Sequence, residues 1–201
     1  MIRLSPQLLI VTASAFIGVG EHVADHTEGG VIDRFFRRRG NATSALPGEW
    51  DVALIQHCGY WSHFDHRMER SSWPVTGATT ANELGLFGVA RGVLLDEPEA
   101  GDVFLQFSPT RQAFFRAGIV VRVCGHGLLA HNRTYVDLLT IEGDTDESGR
   151  FGQGKTMRLA RRLSPSAGDR FLRWADLDVL AHVGQRGHAS STEIVPRKDL
   201  L

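Results

Sequence analysis

Cysteine and histidine have the widest chemical range of the side chains here. The chain carries two of the first and nine of the second. Cys124 is followed two residues on by His126. A thiol and an imidazole could meet there, but no third group that would orient a base accompanies them. The stretch Cys124-Gly-His-Gly127 therefore reads as a hairpin turn. Cys58 lies in an apolar stretch and reads as a small buried core residue. His57, His63, Asp65 and His66 fall within ten residues, and His63 and His66 are spaced i, i+3, which puts two nitrogens on one helix face. A closed structural zinc site needs four ligands. No Cys-x-x-Cys is present, and Gly59, Tyr60 and Trp61 interrupt the cluster. Packing at a helix end is the reading taken, with His57, His63 and His66 kept as weak metal candidates. His22 and His26, at i, i+4, are a thinner signal still. No cofactor is expected.

The elements that must hold these residues are bounded by composition. At 201 residues the chain suits one domain with a short tail. With 42% hydrophobic and 22% charged residues it is not a largely disordered chain. Twenty-two basic against twenty-three acidic residues give a net charge of −1, which speaks against a dedicated nucleic-acid binder. Two cysteines make no disulfide framework. Leu8–Val19, LLIVTASAFIGV, with Arg3 ahead of it, has the length of a signal-peptide core. It is too short to span a membrane, and no other apolar run is longer, so no transmembrane segment is expected. Its flank is weakly basic and no clean cleavage site follows. A buried first helix is preferred, and the absence of a clear signal points to the cytoplasm, with periplasmic or extracellular delivery left open.

Helical spacing is predicted first. Ser5–Ile17 reads as a helix with Pro6 in its first turn, and Val31–Arg39 as a second, closed by Gly40. Asn41–Gly48 reads as a loop. Glu49–Phe64 reads as a central helix, apolar on most sides and hence buried. Thr80–Ala90 follows, capped by Thr79 or Thr80. From Gly101 the period changes. Asp102–Phe107, Ala117–Val123, Leu128–His131, Tyr135–Ile141 and Lys155–Arg162 read as strands. Glu142–Gly154 reads as a polar loop, and Phe171–Trp174 closes the domain. Helices first and antiparallel strands second give an α+β fold, with residues 1–178 as one domain and 179–201 as a polar C-terminal tail.

Five segments in consistent order carry a resemblance. They are ASAFIGVGE (13–21), PGEW (Pro47–Trp50), PEAGDVFLQFSP (Pro98–Pro109), FFRAGIVVRV (Phe114–Val123) and TIEGDT (Thr140–Thr145). Together they resemble the CHAP amidohydrolases, peptidoglycan hydrolases related to the NlpC-type cysteine peptidases. The resemblance spans about Leu8 to Trp174 and implies a papain-like core, with N-terminal helices packed on an antiparallel sheet. It also implies where chemistry would sit. The family places a cysteine directly after the tryptophan, at the start of the central helix, where the helix N-terminus lowers a thiol pKa. A histidine at the start of the second strand acts as base, and a polar residue on a later strand orients it.

In this chain the cysteine position is Asp51 and the histidine position is Arg116; the third falls on Glu142 or Asp144. A carboxylate suits a helix N-terminus but is a poor amide nucleophile, and arginine stays protonated and cannot act as a base. The resemblance thus implies a catalytically inactive homologue in which Arg116 pairs with these acids, Glu49 and Trp50 lining the cleft. Its expected role is a binding or structural subunit of a larger assembly. The expected partners are other protein subunits, with a cell-wall peptide as a possible ligand. The alternative is an active peptidoglycan amidase or endopeptidase with a rearranged site. Cys58 lies seven residues past Asp51, so roughly 10 Å further along the helix, away from any cleft at its start.

Overall fold

The computed structural model describes residues 6–20, 50–62, 78–146, 148–150 and 154–173. These form three α-helices and one six-stranded antiparallel sheet, an α+β architecture. The expected helix at 31–39, the loop at 41–48 and the tail at 179–201 lie outside the described residues, as do Glu49, His63 and His66.

Helix α1 spans Pro6–Ser14 and buries Leu9 and Ala13. It stops short of Ile17. Thr12 and Ser14 donate their hydroxyls back to the Leu8 and Ile10 carbonyls, each at 2.8 Å, a competing bond that weakens a helix end. Helix α2 is Asp51–Ser62. Trp50 accepts its first helical bond, from the Leu54 N–H at 2.9 Å. Ser62 closes it by donating to the Cys58 carbonyl at 2.7 Å. Helix α3 is Ala81–Arg91. Thr80 and Glu83 form a reciprocal capping box at its start, and Gly92 ends it at φ 65°, a left-handed conformation that glycine adopts without strain. No helix among the described residues is long and apolar enough to cross a membrane.

The strands are β1 (Leu94–Leu95), β2 (Val103–Ser108), β3 (Ala113–Leu128), β4 (Thr134–Thr145), β5 (Lys155–Leu163) and β6 (Arg170–Leu172). Their order is β1-β6-β2-β3-β4-β5. Strands β2 to β5 are a simple meander. The last strand, β6, inserts between β1 and β2, pairing Leu172 with Leu94 on one side and Val103 on the other.

Because side chains alternate along a strand, the sheet has two faces and two cores. Val103, Leu105, Ala117, Ile119, Ile141 and Leu172 pack with Leu54, Ile55 and Leu84 on the helix side. Phe104, Val120, Val136, Leu138, Leu163 and Phe171 form a separate cluster on the far side. Helix α3 lies close on the sheet because Gly85 and Gly88 face it; a Cβ there would collide with the Phe114 ring and with Leu94 and Leu172.

Three expectations change. Cys124–Gly127 is not a turn: β3 runs through it, with Gly125 opposite Asp137 and Gly127 opposite Tyr135. Gly127 is needed not to bend the chain but to lie under the Tyr135 ring, which a Cβ would strike. The turn comes later, at a 3₁₀ segment Ala130–Asn132, with His131 and Asn132 at φ 63° and 56°. Residues 129–131 are accordingly not strand. Finally, Glu142–Thr145 is not loop but the buried end of β4.

Candidate functional site

Asp51 is the first residue of α2 and is only 2% exposed. One carboxylate oxygen accepts the Val52 N–H at 2.7 Å, and the other accepts the Ala117 N–H of β3 at 2.8 Å. Orphan N–H groups and the positive end of the helix dipole make this a favourable seat for an anion. The approach depends on Gly143 in β4. A Cβ there would come within 2.8 Å of the Trp50 ring and 3.1 Å of the Asp51 Cα. So PGEW and IEGD do meet: Trp50 and Asp51 rest on the glycine between Glu142 and Asp144. Asp144 takes φ 54° and accepts the Gly154 N–H at 3.0 Å, drawing the start of β5 toward the end of β4.

Arg116 goes elsewhere. Between Gln106 and Phe107 of β2 the register slips against β3, leaving Phe115 as the extra residue of a bulge. A bulge reverses the alternation beyond it. Phe114 faces the helices, against Gly85, and Ala117 faces them too. Arg116 and Gly118 therefore leave β3 on the far side, where Gly118 lies beneath Phe104 and the Glu142 side chain. Asp51 and Arg116 occupy opposite faces of the same strand, with the backbone N–H of Ala117 between them.

On that far face Glu142, fully buried, is the centre of a charge cluster. Arg161 of β5 grips it in a two-pronged bond, Nε to Oε1 at 2.7 Å and Nη2 to Oε2 at 2.6 Å. The Thr140 hydroxyl donates to Oε1 at 2.6 Å. Arg116 Nη1 stands 3.7 Å from Oε2, an ion-pair distance longer than a hydrogen bond. Arg116 donates instead to the Gly149 carbonyl at 2.8 Å, which also accepts from Arg161 Nη2 at 3.0 Å. Burial pulls the Arg116 pKa down, and neighbouring Arg161 adds to this; Glu142, Asp51 and Asp144 act in the opposite direction.

The remaining candidates divide in the same plain way. Cys58 is buried, and desolvation pushes its thiol pKa well above the ordinary value, the reverse of a reactive cysteine. Cys124 is exposed in the distal part of β3. His57 sets its ring edge-on to Phe16, at 5.2 Å between centroids. No group of three or more potential metal ligands forms among the described residues.

Sequence reading misses Arg161, Thr140, Gly143 and Gly149. Arg161 had a visible signal: in KTMRLARRL, cations share a half-buried strand with apolar residues, and a buried cation must find a carboxylate. Which carboxylate depends on the β4–β5 register, which no local pattern encodes. Set against known proteins, the chain matches no family model, no curated protein and no solved structure.

Proposed function

We propose that this chain is a catalytically inactive relative of the CHAP and NlpC-type amidohydrolases, with a papain-like core, acting as a binding or structural subunit of a larger assembly. One observation carries the reading. Asp51 opens α2 directly after Trp50, where those enzymes hold their cysteine, and its carboxylate is committed to two backbone N–H groups. A helix that begins there and rests on β3 and β4 supports the papain-like arrangement. A carboxylate so held is a poor nucleophile, and the guanidinium at position 116 cannot accept a proton and leaves the strand on the other face. Neither cysteine sits at the start of a helix. The test is hydrolysis of purified peptidoglycan. No peptides or amino sugars should be released, with or without a thiol-alkylating reagent. Release that alkylation abolishes would overturn the proposal in favour of a working amidase.

A further inference from the structure

Strand β3 outruns the core. From Val121 to Leu128 none of its residues is buried. The hairpin it forms with β4 ends in a turn that the Leu129 N–H closes on the Arg133 carbonyl at 2.7 Å. Leu128 and Leu129 stand at that tip, 70% and 41% exposed. His131 and Arg133 are exposed in the turn itself, His126 and Arg122 further back along β3. Residues 103–136 hold no Asp or Glu. Asp137, the acid that follows, is taken by Arg162 at 2.7 and 2.8 Å. Among the described residues no carboxylate pairs with Arg122 or Arg133. The loop that meets the hairpin here contributes the neutral hydroxyls of Ser164 and Ser166, at 2.7 and 3.4 Å from the Thr134 carbonyl.

We propose that this tip docks on an anionic phospholipid surface, the two leucines entering the headgroup boundary and Arg133 meeting lipid phosphates. An interfacial anchor works with a few apolar side chains reaching about 5–10 Å into that boundary, and its strength adds apolar burial to attraction for anionic lipid. Two leucines are too little for a stable protein partner, which takes roughly 800 Å² from each side. The acid-free stretch supplies the electrostatic half, because no carboxylate in it is repelled by the lipid charge. A neutral bilayer would satisfy the leucines and not the arginine. The tip belongs to the distal end of β3 and does not depend on the family reading.

The experiment is co-sedimentation of the whole chain with vesicles of phosphatidylcholine alone and of phosphatidylcholine with phosphatidylglycerol in equal parts. The parent should bind the mixed vesicles and leave the neutral ones. Leu128→Ser with Leu129→Ser should lower binding at least about tenfold, since both side chains lose their apolar burial. Arg133→Gln should lower it about fivefold, the loss of one cation near a charged leaflet. Leu86→Ser, at an exposed leucine of α3, should leave it unchanged. Melting temperatures should match the parent, because all these side chains are exposed. Leu128→Trp gives a second readout that removes no apolar side chain: its emission should shift to the blue on mixed vesicles. A parent that ignores phosphatidylglycerol overturns the proposal, as does binding that survives loss of both leucines or falls equally with Leu86→Ser. A dimer of the parent held together by the same leucines overturns it in favour of a second copy of the chain.

Discussion

On the helix side of the sheet, Asp51 places a full negative charge in the core and meets it with the backbone N–H groups of Val52 and Ala117. On the far side, Glu142 places the same charge in the core and meets it with a guanidinium and a hydroxyl. The first solution uses dipoles that helix α2 and strand β3 possess regardless of side chain. The second needs two particular residues on two strands in one register. The contrast separates what each site loses when altered. Emptying the Asp51 seat leaves donors unsatisfied, whereas emptying the Glu142 seat leaves cations without their counter-charge.

Glu142→Ala should show the largest effect. It leaves Arg161 and Arg116 facing each other in a buried site, and breaking such a pair costs about 3–5 kcal/mol. Urea denaturation should register it as a lower midpoint. Asp51→Ala comes next, at about 2–4 kcal/mol for two buried N–H groups. Asp51→Asn, which keeps an acceptor, should recover a good part of that. If the two alanine variants reverse order, the dipole seat matters more than the ion pair and the contrast fails.

Arg116→Ala should cost less, about 1–2 kcal/mol, because Glu142 keeps Arg161. The expected pairing of Arg116 with these acids is present as an ion pair to Glu142 at 3.7 Å, longer than a hydrogen bond. Comparing Arg116→Ala with Arg161→Ala in the same denaturation assay sharpens the point: the second should be clearly worse.

Asp102 offers a smaller, pH-dependent measure of a less complete solution. It accepts the Glu99 N–H at 2.8 Å and meets Arg173 only at 3.5 Å. Burial prevails, and its pKa is raised to about 6. The fold therefore keeps a proton that the unfolded chain has released. Stability from this group is full below its ordinary pKa of 3.8, falls as pH rises, and is lost above about 6. Asp102→Asn should flatten stability between those limits, by on the order of 1 kcal/mol. A parent whose stability rises over that window would contradict the assignment.

Last in size is an expected absence of effect. Asp51→Cys with Arg116→His restores the residue types of a thiol hydrolase, yet no peptidoglycan cleavage should appear. The bulge at Phe115 sends side chain 116 to the face opposite Asp51. Measurable, alkylation-sensitive turnover by the double variant would show that the two positions do share a cleft.

Much of the local structure is legible in the sequence, and for identifiable reasons. Thr80 and Glu83 stand at capping-box spacing, and the structure uses both. Asp51 after Trp50 marks a helix start, and α2 begins there. Glycine is where the reading fails. In Cys124–Gly127 and Glu142–Asp144 it looks like punctuation, but Gly127 and Gly143 are there so that Tyr135 and Trp50 can lie on them. Close approach and chain reversal demand the same residue, and only the neighbour across the sheet tells them apart. The face of Arg116 is hidden for a related cause. One bulged residue decides it, and residue types along a strand carry no count of bulges.

The insertion of β6 between β1 and β2 has a bearing on how the chain acquires its shape. The meander from β2 to β5 joins neighbours in sequence and can zip up hairpin by hairpin. Among the described residues, the two-residue β1 pairs only with Arg170–Leu172, so β6 is what connects it to the rest of the sheet. During synthesis, residues 94 and 95 must therefore wait for some 75 further residues before their strand can form. Gly88 of helix α3, which packs on Leu94 and Leu172, waits with them. A nascent chain halted before Arg170 would carry an open slot beside β2, a ready-made place for a foreign strand.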